Sequence, residues 1–203
     1  SKMLSNFLRP LWRNTNNFQE VAWVWRRLPV PVIAVLHGRC YGAGVQIAMG
    51  ADFRFATPDC EMSIMEAKWG LIPDMSGTVS FREVMPLDVA KRLSMTAEVF
   101  TAEQGKGWGL VTETHADPLA ATRALVEQTF DGMDIAKTPM AFRDAHMAAY
   151  EIYTALNEPA KALPHLERVR AMGDEAAKLA TTTSTALMAA RFDYANQELR
   201  IAN

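Results

Sequence analysis

The sequence has 203 residues, which is enough for one globular domain with a modest additional segment. Hydrophobic residues make up 49% of it and charged residues 22%, a composition that argues against disorder. Because 21 lysine and arginine residues face 23 aspartate and glutamate residues, the formal net charge is -2, and no broad basic surface for nucleic acid is expected.

Cysteine content and hydropathy indicate where in the cell the protein is expected and whether it spans a membrane. Cys40 and Cys60 are too few for a disulfide framework, and the 4 histidines lack an HExxH spacing. We therefore expect an intracellular, cytoplasmic protein without a structural zinc site. The apolar stretch 28–51 contains one formal charge, Arg39, but its prolines and glycines indicate a strand, a turn and a helix rather than a membrane span.

The first elements of the chain alternate between helix and strand patterns. Apolar residues near helical spacing predict mostly helix over 3–27, and the prolines within 28–31 end it. The apolar run 32–36 predicts a strand buried on both faces, as in a parallel sheet covered by helices. A glycine-bearing turn over 37–44 and an apolar helix over 45–50 follow.

The alternation continues as far as residue 130, which defines an α/β fold class. Thr101-Ala102-Glu103-Gln104 fits a capping box that opens a short helix. The remaining patterns predict strands at 52–56, 62–65 and 110–112, a loop over 69–77, and helices at 78–85, 87–95 and 117–130.

The pattern changes near residue 137. Thr138-Pro139 is typical of a helix start, with an N-cap threonine and proline at the first helical position. From there to Asn203 the periodicity is helical, and no segment has a convincing strand pattern. We therefore predict an α/β core over 1–136 and a helical region over 137–203.

The glycine-bearing segment from Gly38 to Gly44 is a candidate binding turn. It lies between a predicted strand and a helix, where backbone N–H groups can face an anion or a developing oxyanion. It is neither a dinucleotide-binding GxGxxG nor a P-loop, because no glycine follows Gly44 before Gly50 and no lysine follows the last glycine. The alternative is a tight turn that lets helix and strand pack closely. Cys40 within it is a weak nucleophile candidate, since the sequence places no histidine or asparagine to activate it.

Two carboxylates are candidate acid and base groups. Glu66 ends an apolar strand pattern, and Asp74 follows in a glycine-flanked loop, so the two can face one cavity from two sides. A carboxylate in an apolar pocket has its charged form disfavoured, which suits proton transfer near neutrality. The alternative is structural: Glu66 pairs with Lys68 or Arg82, and Asp74 caps the helix near Thr78.

Seven short runs of the sequence occur in a recognisable order: PVIAVLHG (31–38), GAGVQIAM (42–49), ADFR (51–54), MEAKWGLIPD (65–74), GT (77–78), FTAEQ (100–104) and GLV (109–111). As a set they resemble the crotonase superfamily, the enoyl-CoA hydratase/isomerase family, over residues about 29–115. The resemblance implies a spiral of ββα units, with a helical tail similar to the family's C-terminal trimerisation region. It also implies homotrimers or dimers of trimers, and a chain that begins inside the family fold.

The resemblance implies an acyl-CoA thioester substrate, with coenzyme A as part of the substrate and no separate cofactor. Two backbone amides of such enzymes hold the thioester oxygen of an enolate-like intermediate. One maps onto Ala43, in a turn that Gly42 and Gly44 permit. The other comes from an earlier segment of the family fold and has no counterpart that this sequence identifies. A preorganised donor of this kind contributes about 3 kcal/mol.

The sequence departs from the family pattern at one acid. Hydratases of the family use two glutamates, which map onto Gln46 and Glu66, and a glutamine cannot act as a base. Asp74 maps onto an aspartate that shuttles protons in the dienoyl-CoA isomerase branch, although that branch also carries an acid at the position of Gln46. The resemblance therefore favours double-bond isomerisation by Glu66 and Asp74 over water addition, with Trp69 among the substrate-binding residues.

Three alternatives stay open at this point. A hydratase or lyase would use Glu66 with a water held by Gln46. A non-catalytic acyl-CoA-binding member of the family would bind the thioester without turnover. RNA binding, known among relatives, is opposed by the slightly acidic charge.

Overall fold

The structure is a computed structural model that describes residues 14–201, with side chains described as far as residue 188. The chain divides into two compact units, Ser1–Asp131 and Gly132–Asn203. This division lies close to the boundary predicted after residue 136, and the roles assigned to the two parts remain predictions.

The first unit alternates short strands with helices. Its α-helices are α1 (Asn17–Trp23), α2 (Ala43–Ala48), α3 (Gly77–Val84), α4 (Leu87–Thr96), α5 (Ala102–Gly107) and α6 (Pro118–Thr129). Its strands are β1 (Ile33–Leu36), β2 (Arg39–Tyr41), β3 (Phe53–Ala56), β4 (Glu61–Ser63), β5 (Phe100–Thr101) and β6 (Glu113–Thr114). Short 3₁₀ helices cover Val24–Arg27 and Met65–Trp69.

Two small sheets form from these strands. One has the order β1-β3-β6 with parallel pairing throughout, and the other has the order β2-β4-β5. In the second sheet β2 and β4 are parallel and β5 is antiparallel to β4. Crossovers through helices between parallel strands give the α/β fold that the alternating pattern predicts.

The core of this unit gathers side chains from strands and helices around α2. Val45, Met62, Ile64, Leu93 and Leu110 are fully buried in it. The predicted capping box is confirmed, because the Thr101 hydroxyl accepts from the Gln104 N–H while the Gln104 side chain accepts from the Thr101 N–H.

Gly50 brings α1 against the segment after α2. A Cβ at Gly50 would lie 2.1 Å from the Ala22 carbonyl oxygen, so no other residue fits there without displacing α1. Of the helix predicted over 3–27, residues 3–13 lie outside the described residues, residues 14–16 are not helical, and residues 17–27 form α1 and a 3₁₀ turn.

Two segments of the first unit differ from the predicted pattern. The turn predicted over 37–44 contains β2, because Arg39–Tyr41 pairs with β4. The strand predicted at 110–112 is wrong, because these residues are a bend that follows α5, where the N–H groups of Leu110 and Val111 both donate to the Gly105 carbonyl. Their apolar side chains fill the core, which explains the strand-like pattern.

Two further differences concern burial and the position of Glu66. Strand β1 is half-buried rather than buried on both faces, since among the described residues it lies at one end of its sheet and pairs only with β3. Glu66 is not at a strand end: β4 ends at Ser63, and Glu66 lies in the 3₁₀ helix Met65–Trp69.

The second unit is helical in its described part. Short 3₁₀ turns at Ile135–Lys137 and Met140–Phe142 precede α7 (Arg143–Ala155) and the long α8 (Pro159–Ile201). The helix start predicted at Thr138-Pro139 is wrong, since α7 begins at Arg143. The Thr138 hydroxyl donates instead to the Ile135 carbonyl. Within residues 14–201, no helix combines the length and apolarity needed to cross a membrane.

Candidate active site

A cavity of about 630 Å³ in the first unit collects most of the predicted site residues. Its wall combines the start of α2, the 3₁₀ helix Met65–Trp69 and the loop that leads to α3. It is lined by Phe18, Tyr41, Gly42, Ala43, Gln46, Met65, Glu66, Trp69, Gly70, Leu71, Ile72, Asp74 and Met75. Of the residues predicted for the site, Gly44 alone is not part of this lining.

The turn before α2 borders the cavity through Gly42 and Ala43. Gly42 has a φ of 53°, which favours glycine, and its N–H donates to the Ser63 carbonyl at 2.9 Å. Ala43 follows as the first residue of α2, where a backbone N–H has no acceptor within the helix. The Ala43 N–H therefore suits an anionic oxygen. A Cβ at Gly44 would make ordinary contact with Cys40 Sγ at 3.6 Å, so Gly44 packs behind this wall.

Glu66 is held by an amide rather than by a cation. Its side chain is buried, and Oε1 accepts from Gln46 Nε2 at 2.6 Å. Oε2 is also buried and has no hydrogen-bond partner among the described residues. The alternative pairing of Glu66 with Lys68 or Arg82 is not observed, so no cation in the described part of the protein neutralises this carboxylate, which lines the cavity.

Gln46 is bound at both ends of its amide. Besides donating to Glu66, it accepts at Oε1 from the Gly77 N–H at 3.0 Å. The side chain is 1% exposed, although the residue lines the cavity. Gln46 was expected to orient a water or the substrate. Both ends of its amide already bind groups of the protein, so it would have to bind a water or the substrate in addition to them.

Asp74 and Trp69 lie at the open side of the cavity. Asp74 is exposed and does not cap α3: the residue before that helix is Ser76, with φ 68° and no side-chain cap. The Trp69 side chain is 74% exposed, and Leu71 and Ile72 beside it are exposed as well. These three side chains give the cavity an apolar rim.

The weaker candidates lie outside the cavity. Burial raises the pKa of the Cys40 thiol to about 11, with a smaller contribution from Cys60, so Cys40 is protonated near neutrality and unsuited as a nucleophile. His37 is exposed just after β1. Among the described residues, no group of three or more histidine, cysteine or acidic side chains could hold a metal ion.

Gly77 is a site residue that the sequence reasoning missed. A Cβ there would lie 2.7 Å from Gln46 Oε1 and 2.8 Å from Phe81 Cε2. A glycine directly before a helical pattern, in place of a side-chain cap, is the signal that could have pointed to it. Tyr41 and Phe18 were also missed, because β2 and α1 reach the cavity only through tertiary packing.

Comparison with known proteins identifies the family. Residues 11–159 match the model of the Enoyl-CoA hydratase/isomerase family, so the chain belongs to this family and to the crotonase superfamily. The carnitinyl-CoA dehydratase of Salmonella typhi is 29% identical over 133 residues, which make up 64% of this chain and 48% of that protein. The chain thus spans about half the length of the curated relatives it matches.

Solved structures share the fold. A protein of Streptomyces avermitilis assigned as an enoyl-CoA hydratase matches with a TM-score of 0.58 at 24% identity, over 79% of this chain and 58% of that one. Another from Thermobifida fusca YX, solved in complex with CoA, matches with a TM-score of 0.55 at 26% identity, over 81% and 62%. That protein has also been solved with acetoacetyl-CoA.

Proposed function

We propose that this protein acts on an enoyl-CoA thioester and shifts its double bond by proton transfer through Glu66. The observation that carries the proposal is the buried Glu66 carboxylate, with one oxygen bound by Gln46 and the other without a partner in the described chain. Ala43, whose N–H suits an oxyanion, and Asp74 line the same cavity. Coenzyme A enters as part of the substrate, and the proposal needs no separate cofactor.

The proposed reaction begins at the carbon next to the thioester carbonyl. Glu66 removes a proton from this carbon, and the electron pair forms a dienolate whose negative charge is on the thioester oxygen. The Ala43 N–H donates to that oxygen, and such a preorganised donor contributes about 3 kcal/mol. Asp74, or the newly protonated Glu66, then returns a proton to the far carbon of the allylic system. The double bond moves, and no atom is gained or lost.

The surroundings of the two carboxylates suit an acyl chain. The side chains of Trp69, Leu71 and Ile72 offer apolar contact at the cavity rim. Gly42 allows the thioester end to approach the backbone, and Gly44 belongs to the same turn. We also propose that the protein self-associates as trimers through the second unit.

A second candidate is the addition or elimination of water. The match to a carnitinyl-CoA dehydratase and the likeness to a CoA-bound enoyl-CoA hydratase favour it. In this reaction Glu66 takes a proton from water, the hydroxide adds to the third carbon of the acyl chain, and a proton reaches the second carbon. Gln46 has both ends of its amide bound within the protein, so it contributes less to holding the water than the family pattern suggests.

Parallel assays with but-2-enoyl-CoA and but-3-enoyl-CoA, with products separated by mass spectrometry, test the function. We expect double-bond migration at unchanged mass, and a gain of one water would select the second candidate. Glu66→Gln should lower turnover by about 10²–10⁴-fold, the typical contribution of general acid–base catalysis. Binding of acetoacetyl-CoA, measured by calorimetry, should stay nearly unchanged. Asp74→Asn should slow isomerisation far more than hydration.

The matched control is Glu98→Gln, because Glu98 is paired with Arg92 and lies outside the cavity lining. This variant should retain full turnover. Full activity in Glu66→Gln would contradict the proposed function. Binding of acetoacetyl-CoA by the wild-type protein without turnover of either substrate would mean that the acyl group is wrong or that the protein is a non-catalytic acyl-CoA-binding member of the family.

A further inference from the structure

The side-chain amide of Gln46 connects three elements around the proposed acid–base group. Gln46 belongs to α2, its Nε2 donates to Glu66 Oε1 in the 3₁₀ helix at 2.6 Å, and its Oε1 accepts from the N–H of Gly77, the first residue of α3, at 3.0 Å. With 1% of its surface exposed, this side chain exchanges neither bond with bulk water.

The backbone of α3 fixes which way the amide faces. The Gly77 N–H can only donate, so it requires the amide oxygen of Gln46 on its side. The NH₂ group is thereby directed at Glu66, where it can only donate. The hydrogen bond at one end of the Gln46 amide therefore fixes the orientation of the other end. The group that donates to Glu66 belongs to a side chain that does not titrate.

We propose that Gln46 is a positioning residue that occupies Glu66 Oε1 and leaves Oε2 as the oxygen that transfers the proton; this inference rests on the proposed function. The hydrogen bond makes Oε1 the poorer proton acceptor, and Oε2 has no partner in the described chain. An amide does this without placing a second acid beside Glu66, and two adjacent carboxyl groups cannot both ionise readily.

The hydrogen bonds of Gln46 leave no room for a side chain at Gly77. A Cβ at Gly77 would lie 2.7 Å from Gln46 Oε1, which no real Cβ contact tolerates. A Cβ at Gly42 would lie 3.5 Å from Glu66 Oε1, at ordinary contact distance. The pairing of Gln46 with Glu66 therefore depends on the absence of a side chain at Gly77, whereas Gly42 is favoured by its φ of 53° rather than by space.

Gln46→Met tests the inference, because methionine keeps the length of the side chain and removes both hydrogen bonds. Hydrogen bonds to charged groups contribute about 1.5–3 kcal/mol, so we expect kcat to fall by about tenfold or more. The Kd for acetoacetyl-CoA should stay within about twofold, because the lost interaction positions Glu66 rather than the ligand. Full kcat in Gln46→Met would overturn the inference.

Val45→Ala is the matched packing control. Val45 is fully buried on the same helix, so its truncation perturbs the core without touching either hydrogen bond. It should lower the melting temperature and leave kcat near the wild-type value at a temperature where both are folded. An equal loss of kcat in Val45→Ala and Gln46→Met would assign Gln46 a structural role and overturn the inference.

Gln46→Glu is tested through the pH–rate profile, which a change in packing alone should not shift. The new carboxyl group would meet Glu66 at the position of the present hydrogen bond, and the pair would share a proton over part of the pH range. We expect the acid limb of the pH–rate profile to move to higher pH. The other ionisable side chains lining the cavity, Tyr41 and Asp74, are the same in both proteins. An unchanged profile would contradict the contact between the two side chains.

The two proposals fail in different ways. Turnover that is lost in Glu66→Gln but fully retained in Gln46→Met contradicts the positioning role alone. Turnover that persists in Glu66→Gln contradicts the proposed function itself. Crystal structures of wild-type protein and Gln46→Met with acetoacetyl-CoA should show the Glu66 carboxylate rotated in the variant, and an unmoved carboxylate would overturn the positioning role.

Discussion

The absence of a side chain at Gly77 should matter for both stability and catalysis. Gly77→Ala would place a Cβ 2.7 Å from Gln46 Oε1 and 2.8 Å from Phe81 Cε2, and both neighbours are buried. Overpacking of this kind typically costs about 1–3 kcal/mol of the free energy of unfolding. The displaced Gln46 should also release Glu66, so kcat should fall together with stability. Urea unfolding and steady-state kinetics measure the two effects.

Gly107→Ala is the control for that substitution. Gly107 is also helical, and a Cβ there meets nothing within 4 Å. Alanine at such a position stabilises by about 0.4–1 kcal/mol through the unfolded chain, and turnover should not change. If Gly77→Ala behaved like Gly107→Ala in both measurements, the close approach at Gly77 would not matter for the site.

At the residue scale, the sequence brought most of the candidate residues to one cavity but did not predict the contacts among them. Glu66 and Asp74 line one cavity, as their spacing predicts. The partner of Glu66 was not predictable from spacing, because Gln46 is oriented by a backbone N–H of a later helix. The side-chain chemistry of Gln46 can be read from the sequence, whereas its hydrogen bond with Gly77 arises only when the tertiary fold brings the first residue of α3 to it.

At the element scale, the alternating pattern gave the fold class and most helices, but it misplaced short strands. β5 and β6 have two residues each, too few for a period of two to register. Leu110 and Val111 have the apolar, branched character of a strand, yet they follow α5 because the core needs apolar side chains there. The helical character of the region after residue 137 was predicted from its periodicity, although the start of α8 at Pro159 was not.

The contact between α7 and α8 contains a buried histidine pair that should make stability depend on pH. His146 on α7 and His165 on α8 have their Nδ1 atoms 2.8 Å apart, and His146 Nε2 meets the Thr138 hydroxyl at 2.6 Å. Burial lowers the pKa of His146 to about 4, with smaller contributions from His165 and Arg168, and burial lowers the pKa of His165 as well. Arg168 itself is paired with Glu175.

The sign of this dependence follows from proton uptake. An unfolded histidine titrates near 6.5, so between pH 6.5 and about 4 the unfolded chain binds a proton that folded His146 does not. The free energy of unfolding should therefore fall as the pH is lowered through this window. Urea unfolding at several pH values should show the fall, and His146→Leu should flatten it. An equally steep slope in His146→Leu would contradict the assignment.

At the scale of the whole molecule, the second unit presents a helix that is long for a chain of this size. α8 has 43 residues and therefore extends about 65 Å at the α-helical rise per residue. Leu179, Leu187 and Met188 are each more than half exposed on it. Large apolar side chains left in water favour association, and this agrees with the proposed trimer.

The mass in solution tests the trimer. Light scattering after size-exclusion chromatography should give three times the 22.5 kDa of one chain, or twice that again for a dimer of trimers. Leu179→Glu with Leu187→Glu should shift the mass toward the monomer, because burying two carboxylates in an interface costs more than their exposure in a monomer. Thr182→Glu, at an exposed polar position of the same helix, separates added charge from lost apolar contact. If this control dissociated the protein as fully as the leucine substitutions, charge rather than apolar burial would govern assembly. A wild-type mass of one chain would contradict the trimer and leave the site to work within a single copy.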